Sequence, residues 1–293
     1  MTAAAVDLRA GVARVRTTPV SVWLTGLAFL ILFWEPITTL GRDWWNDPEA
    51  GHGLLLGPLA AYLAWKRGRA PDARAQPWLG LWLLAGAVLL RYMSGLAAEL
   101  FTMRASLLGA AIALTVFVAG MRQVRHWWLP VALLALSIPI PAVLLNSAAF
   151  PLQLQASKMG AAMLEWRHVP VLLSGNVIHM PGQSLFVTEA CSGLRSLTAL
   201  IALGVLTGGL WLKGPVARAM LIVLAIPVAM MLNSVRVFLT GFFVYYVSPA
   251  LGEGFMHYTE GWAIFIVAFA ILGVITYVLG AVERRFTRKV RFA

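Results

Sequence analysis

Residues 188–206 read TEACSGLRSLTALIALGVL, and one boundary inside this stretch decides how the chain is read. A polar, turn-prone segment ends there and a long apolar run begins, so the single cysteine, Cys191, stands at the start of a helix at a membrane surface. The N-terminus of a helix carries partial positive charge and free N–H groups, which favour a thiolate over a thiol, and the thiolate is the nucleophile.

Composition places the whole chain in the same setting. Of 293 residues, 60% are hydrophobic and 12% are charged, and the mean hydropathy is +0.80. Soluble domains run at ~45–50% apolar and ~25% charged, so an integral membrane protein is expected. The net charge of +11 is read as basic loops facing anionic lipid and not as a nucleic-acid surface, because no basic–aromatic binding motif accompanies it. One cysteine excludes an internal disulfide and any multi-cysteine metal site.

Eight apolar runs are candidate spans: 20–40, 54–65, 77–93, 102–120, 127–146, 192–212, 216–247 and 260–280. None alternates with period two, so the expected fold class is an all-α integral membrane protein of about eight transmembrane helices. The first run follows Arg9, Arg14 and Arg16 without a clear small-residue cleavage site, and is read as a helix and not a signal peptide. Basic residues alternate between loops. Lys66, Arg67, Arg69 and Arg74 follow the second run, Arg122 and Arg125 the fourth, Lys213 and Arg218 the sixth, and Arg284, Arg285, Arg288, Lys289 and Arg291 the eighth. The positive-inside rule then puts both termini in the cytoplasm. A single polytopic domain, 1–293, is expected: five N-terminal spans in 20–146, an external cap in 147–190, three further spans in 191–281 and a basic tail in 282–293. The cap divides into an amphipathic helix over 147–166 and a small β-hairpin over 169–187, where two β-prone runs flank Pro181–Gly182.

Depth brings three polar residues to one membrane face. Arg236 lies twenty residues beyond the start of the seventh span at Val216, a rise of ~30 Å and so about one hydrocarbon thickness. His257 precedes the eighth span on the same outer side as Cys191. A thiolate attacks carbonyls. An imidazole, which ordinarily titrates near ~6.5, takes and returns a proton. An arginine stays cationic and steadies an oxyanion, and inside a transmembrane stretch it is costly enough to be a functional candidate. Singly, each has an ordinary reading: apolar filler, a snorkelling cation, a loop histidine. Supporting positions are Arg195, one turn after Cys191; Glu189; Ser192, at a tight helix start; Asn233, three residues before Arg236; and Glu260, three after His257. His52, His179, His257 and Glu260 are all external and could be weighed for a metal, but no ligand spacing or nucleotide loop is present, and neither a metal nor a cofactor is expected. A rival reading is a transporter or channel that binds an anion with Arg195 and Arg236; the scarcity of polar residues in the inner halves of the last three spans weighs against it.

Three strings, GNVIHMPGQSLFVTEACSGLRSL around Cys191, NSVRVFLTG around Arg236 and HYTEGWAIF from His257, resemble the exosortase/archaeosortase family of multi-pass membrane cysteine transpeptidases. DPEAGHGLLLGPLAAYL and ASKMGAAMLEWRHVPV are similar to earlier patches of the same family. The resemblance implies eight spans, with Cys191 as nucleophile, Arg236 as electrostatic stabiliser and His257 as acid/base; histidine at the third position points to the bacterial branch. It also implies a bacterial inner-membrane enzyme facing the periplasm. Its partners would be exported proteins ending in a Pro-Glu-Pro motif, an apolar span and a basic tail, with an acceptor for transfer, the lipid bilayer around it and no nucleic acid.

Overall fold

Two of the expected spans are broken next to prolines, whereas Pro58, Pro151 and Pro227 lie within continuous helices. The computed structural model describes residues 20–47, 50–187, 194–248 and 255–290. The first expected span is two helices, α1 (Val20–Leu32) and α2 (Trp34–Asn46), bent by 60°. The cause is Pro36, which has no N–H to give the carbonyl of Leu32. Arg91 supplies the missing donor, with Nε 3.3 Å from Leu32 O, and also pairs with Glu35 at 2.6 Å. Phe33, fully buried at the bend, packs with Ala87 and Ala110.

Helix α3 (Gly53–Arg67) follows, then the antiparallel pair α4 (Pro77–Leu96) and α5 (Leu100–Ala119). The expected fifth span, 127–146, does not form as one helix. After the short α6 (Met121–His126), α7 (Trp128–Leu136) ends before Pro139 and Pro141, and α8 (Ala142–Trp166) starts anew. Helix α8 therefore joins the end of that expected span to the expected surface helix. The carbonyls exposed where α7 stops find side-chain partners: Trp44 Nε1 donates to Ser137 O at 2.8 Å, and His52 Nε2 lies 3.2 Å from Leu136 O. Beside them Arg104, buried in α5, pairs with Asp43 at 2.8 Å. The last three helices are α9 (Leu194–Trp211), α10 (Pro215–Tyr246) and α11 (Phe255–Val290).

Among the described residues, four segments are long and apolar enough to cross a membrane: Pro77–Leu96, Leu100–Ala119, Pro215–Tyr246 and Ala263–Arg285. The bent pair α1–α2 makes a fifth if it crosses as one unit. Helices α3, α7 and α9 are apolar but shorter than the ~20 residues that a full crossing takes. The protein is thus a multi-pass membrane protein, with four or five segments of that length among the described residues. Large apolar side chains such as Leu55, Trp82 and Val143 point outward, as a lipid-facing surface requires.

The cap is a three-stranded sheet and not a two-stranded hairpin. Strands β1 (Leu172–Ser174), β2 (Val177–Met180) and β3 (Gln183–Phe186) run antiparallel in the order β1-β2-β3. Pro181–Gly182 makes the β2–β3 turn as expected, with Gly182 at φ +78. The additional turn is Gly175–Asn176, where Gly175 at φ +61 fits the first central position of a II′ turn. The sheet packs Ile178, Met180 and Val187 against Leu164 of α8 and Val237 and Val244 of α10.

Helices α8 and α10 meet through glycine. A Cβ on Gly160 would come within 2.6 Å of Val237 Cγ1, and one on Gly241 within 2.8 Å of Leu164 Cδ1. Overpacking such a contact costs about 1–3 kcal/mol. Gly160→Leu is therefore expected to lower the thermal unfolding temperature of the detergent-solubilised protein, whereas Gly273→Leu, where nothing lies within 4 Å, is expected to leave it unchanged. Equal effects would remove the packing explanation.

Glu99 caps α5 by accepting from the Thr102 hydroxyl and from the N–H groups of Thr102 and Phe101. These bonds, the Thr102 hydroxyl foremost, hold its carboxyl below the ordinary glutamate range. The stabilisation is fully present above the unfolded pKa of about 4.3 and is lost as the pH falls through the lowered folded value. The difference in unfolding temperature between wild type and Glu99→Gln is expected to be largest near neutrality and to close on acidification. A difference independent of pH would contradict this role.

Candidate functional site

Arg236 is the candidate site residue whose surroundings are best defined. It lies half-buried on α10 between Asn233 and Ser234, both buried, and Val237, which sits in the core beneath the sheet. Its carbonyl accepts from the Thr240 hydroxyl at 2.9 Å. Asn233 shares a small cleft with Leu152, Gln155 and Ala156 of α8, Leu197 of α9 and Ala229 and Met230 of α10. The cleft is therefore walled by the helix that carries Arg236, by the helix that follows Cys191 and by the one that supports the sheet. Its lining is apolar except for two amides, Gln155 and Asn233, which can accept and donate hydrogen bonds but carry no charge.

The chain enters the Cys191 stretch from a fixed point. Val187, buried at the end of β3, donates its N–H to Asn176 O at 2.9 Å, and its carbonyl accepts from Asn176 Nδ2 at 3.1 Å. One asparagine thus holds both backbone groups of the residue four positions before Cys191. Farther along the sheet, Gln183 Nε2 donates to Val244 O at 2.9 Å and ties the β2–β3 turn to α10. On the other side, α9 begins at Leu194, three residues after Cys191.

Glu189, Cys191 and Ser192 lie outside the described residues. Arg195 falls in the first turn of α9. His257 and Glu260 fall inside α11, whose first residue is Phe255, so the eighth helix starts earlier than expected and His257 belongs to its first turn. For these three residues the helix assignment concerns the backbone; their side chains are outside the described set. Of the expected constellation, Asn233 and Arg236 are brought together, one turn apart on α10.

Of the histidines weighed for a metal, His52 faces Leu136 O and His179 Nδ1 is 2.8 Å from Ser184 Oγ. Among the described residues, no group of three His, Cys, Asp or Glu stands together as a metal site.

Sequence reasoning missed Asn176, Gln183 and Gln155. The signal for Asn176 was the Ser-Gly-Asn stretch at 174–176, a turn signature as strong as the Pro-Gly that was used. For Gln155 the polar residues Gln153, Gln155, Ser157 and Lys158 in one stretch of α8 gave no signal that singled it out.

Comparison with curated proteins gives no match, and comparison with solved structures gives none. A protein-family model described as transmembrane exosortase matches residues 44–274. That range contains the cleft, the sheet, Arg236, and the stretches of Cys191 and His257, and the chain belongs to the transmembrane exosortase family.

Proposed function

We propose that this protein is a membrane cysteine transpeptidase that removes the C-terminal sorting tail of exported proteins. The observation that carries the reading is the family match over 44–274, within which Cys191, Arg236 and His257 all fall. The substrate tail would carry Pro-Glu-Pro, an apolar span and basic residues. Such a tail diffuses in the bilayer plane, and its cleavage site lies just outside the hydrocarbon, so the thiol must be held at the same height. In this reading all eight candidate spans traverse the bacterial inner membrane, both termini are cytoplasmic, and the sheet covers the site on the periplasmic side.

The Cys191 thiolate attacks a carbonyl near the Pro-Glu-Pro motif, and Arg236 steadies the oxyanion. The tetrahedral adduct collapses with cleavage of the C–N bond. His257 gives a proton to the departing amine, leaving the exported protein as a thioester on Cys191. An acceptor amine then attacks the thioester and gives up a proton to His257; water in its place gives hydrolysis. Asn233, one turn from Arg236, orients the guanidinium. Glu260 sets the imidazole, Arg195 and Glu189 act on charge near the thiol, and Ser192 offers backbone N–H to the oxyanion. The cleft between α8, α9 and α10 supplies an apolar wall for the substrate next to the Arg236 turn.

The test is co-expression with a tagged exported protein that ends in a Pro-Glu-Pro tail. Wild type is expected to remove the tail, and Cys191→Ala, at equal membrane level, to leave it intact. Arg236→Ala is expected to slow processing by about 10²–10³-fold, the usual loss for one oxyanion donor. His257→Ala is expected to block release of the amine. Tail removal by Cys191→Ala at the wild-type rate would sink the proposal.

A further inference from the structure

At the end of the bundle opposite the sheet, two arginines converge on one tryptophan. The guanidinium carbon of Arg218, on α10, lies 4.7 Å from the Trp128 ring centroid, and that of Arg67, at the end of α3, lies 5.9 Å from it. Each guanidinium is held by a backbone carbonyl. Arg67 Nη1 donates to His126 O at 3.0 Å, and Arg218 donates through Nε and Nη2 to Leu212 O at 3.0 and 2.8 Å. These bonds orient the cations without neutralising them. Among the described residues, neither cation is ion-paired to a carboxylate; the three ion pairs are Arg91–Glu35, Arg104–Asp43 and Arg122–Asp72. Glu283, at the same end, accepts from the N–H groups of Lys213 and Gly214.

Two like charges brought to one ring repel. Burial and the Arg218 charge together hold the pKa of Arg67, which lies beyond the apolar run 54–65, below its ordinary value. A guanidinium has five N–H donors, and each of these spends only one or two. What remains is a pair of preoriented, unneutralised forks on two separate helices, the arrangement that a phosphate oxygen cluster fits. The height of the pair selects the source of the phosphate. Trp65 and Trp211, which are 79% and 64% exposed, stand two residues before Arg67 and one before Leu212, at the level where tryptophan belts mark a bilayer interface. Below the pair, α3, α7 and α9 form a continuous apolar cluster through Leu63, Leu129 and Ala202. A phosphate at this level with apolar surface beneath it belongs to a lipid.

We propose that Arg67, Trp128 and Arg218 form a headgroup site for an anionic phospholipid in the leaflet at the basic end. The phosphate accepts from both guanidiniums, and the bound lipid links α3 and α7 of the N-terminal half to α10, which carries Arg236.

The probe is phosphatidylglycerol added to the purified full-length protein in detergent, read by native mass spectrometry and by thermal unfolding. Phosphatidylglycerol is expected to be retained and to raise the unfolding temperature, and phosphatidylcholine to do neither. Arg67→Gln and Arg218→Gln are each expected to lower retention about fivefold, and the pair more than tenfold. Arg69→Gln, an exposed charge in the same loop, is the control and is expected to retain lipid like wild type. Arg67→Lys and Arg218→Lys keep the charge and serve if the glutamine variants fail to fold; they too are expected to bind less, because an ammonium lacks the planar fork. Three results would overturn the site: equal loss in Arg69→Gln, equal retention of phosphatidylcholine, or stabilisation by inorganic phosphate with the same arginine dependence. The readout is binding, so it is independent of tail processing.

Discussion

The contact between α8 and α10 is the constraint on which the described part of the site depends. Gly160 and Gly241 let two long helices approach until side chains of one rest on the backbone of the other. That approach creates the floor on which the sheet lies, with Leu164 and Val237 buried at its centre. It also sets one wall of the cleft against Asn233. In a bilayer the surrounding lipid is as apolar as the helix surface, so close packing of this kind, and not exclusion of water, holds helices together. Were the two helices farther apart, the sheet would lose its floor and Asn176 would clasp Val187 over empty space.

The sheet brings backbone hydrogen bonding to a place where helices cannot supply it. Three short strands satisfy each other, and the ends are tied by side-chain amides: Asn176 to Val187, and Gln183 to Val244. The sheet's apolar side chains, Ile178 and Met180 of β2 and Leu185 of β3, are pressed onto α8 and α10. The result is a firm entry into the Cys191 stretch.

Membrane class, helical architecture and family were legible because they rest on signals that survive any tertiary context: apolar runs, and a set of motifs centred on Cys191, Arg236 and His257. The breaks inside two of the expected spans were not legible in the same way. Hydropathy reads 127–146 as one unit, yet Pro139 and Pro141 divide it, and Pro36 divides the first. Both breaks persist because distant side chains accept the task of satisfying the backbone: Arg91 in one case, Trp44 and His52 in the other. No local rule announces a partner 59 or 93 residues away. The third strand was missed for a simpler reason, as a Gly-Asn turn was passed over in favour of Pro-Gly.

The bond from Arg91 to Leu32 also orders events in time. A ribosome makes residue 32 well before residue 91, so the carbonyl that Pro36 leaves without a donor exists for 59 residues of synthesis before its partner is made. The bent pair α1–α2 can therefore settle only after α4 has entered the membrane and delivered the guanidinium. The bent pair thus precedes its partner by two helices, and an insertion machine must tolerate it, without that donor, while α3 and α4 arrive.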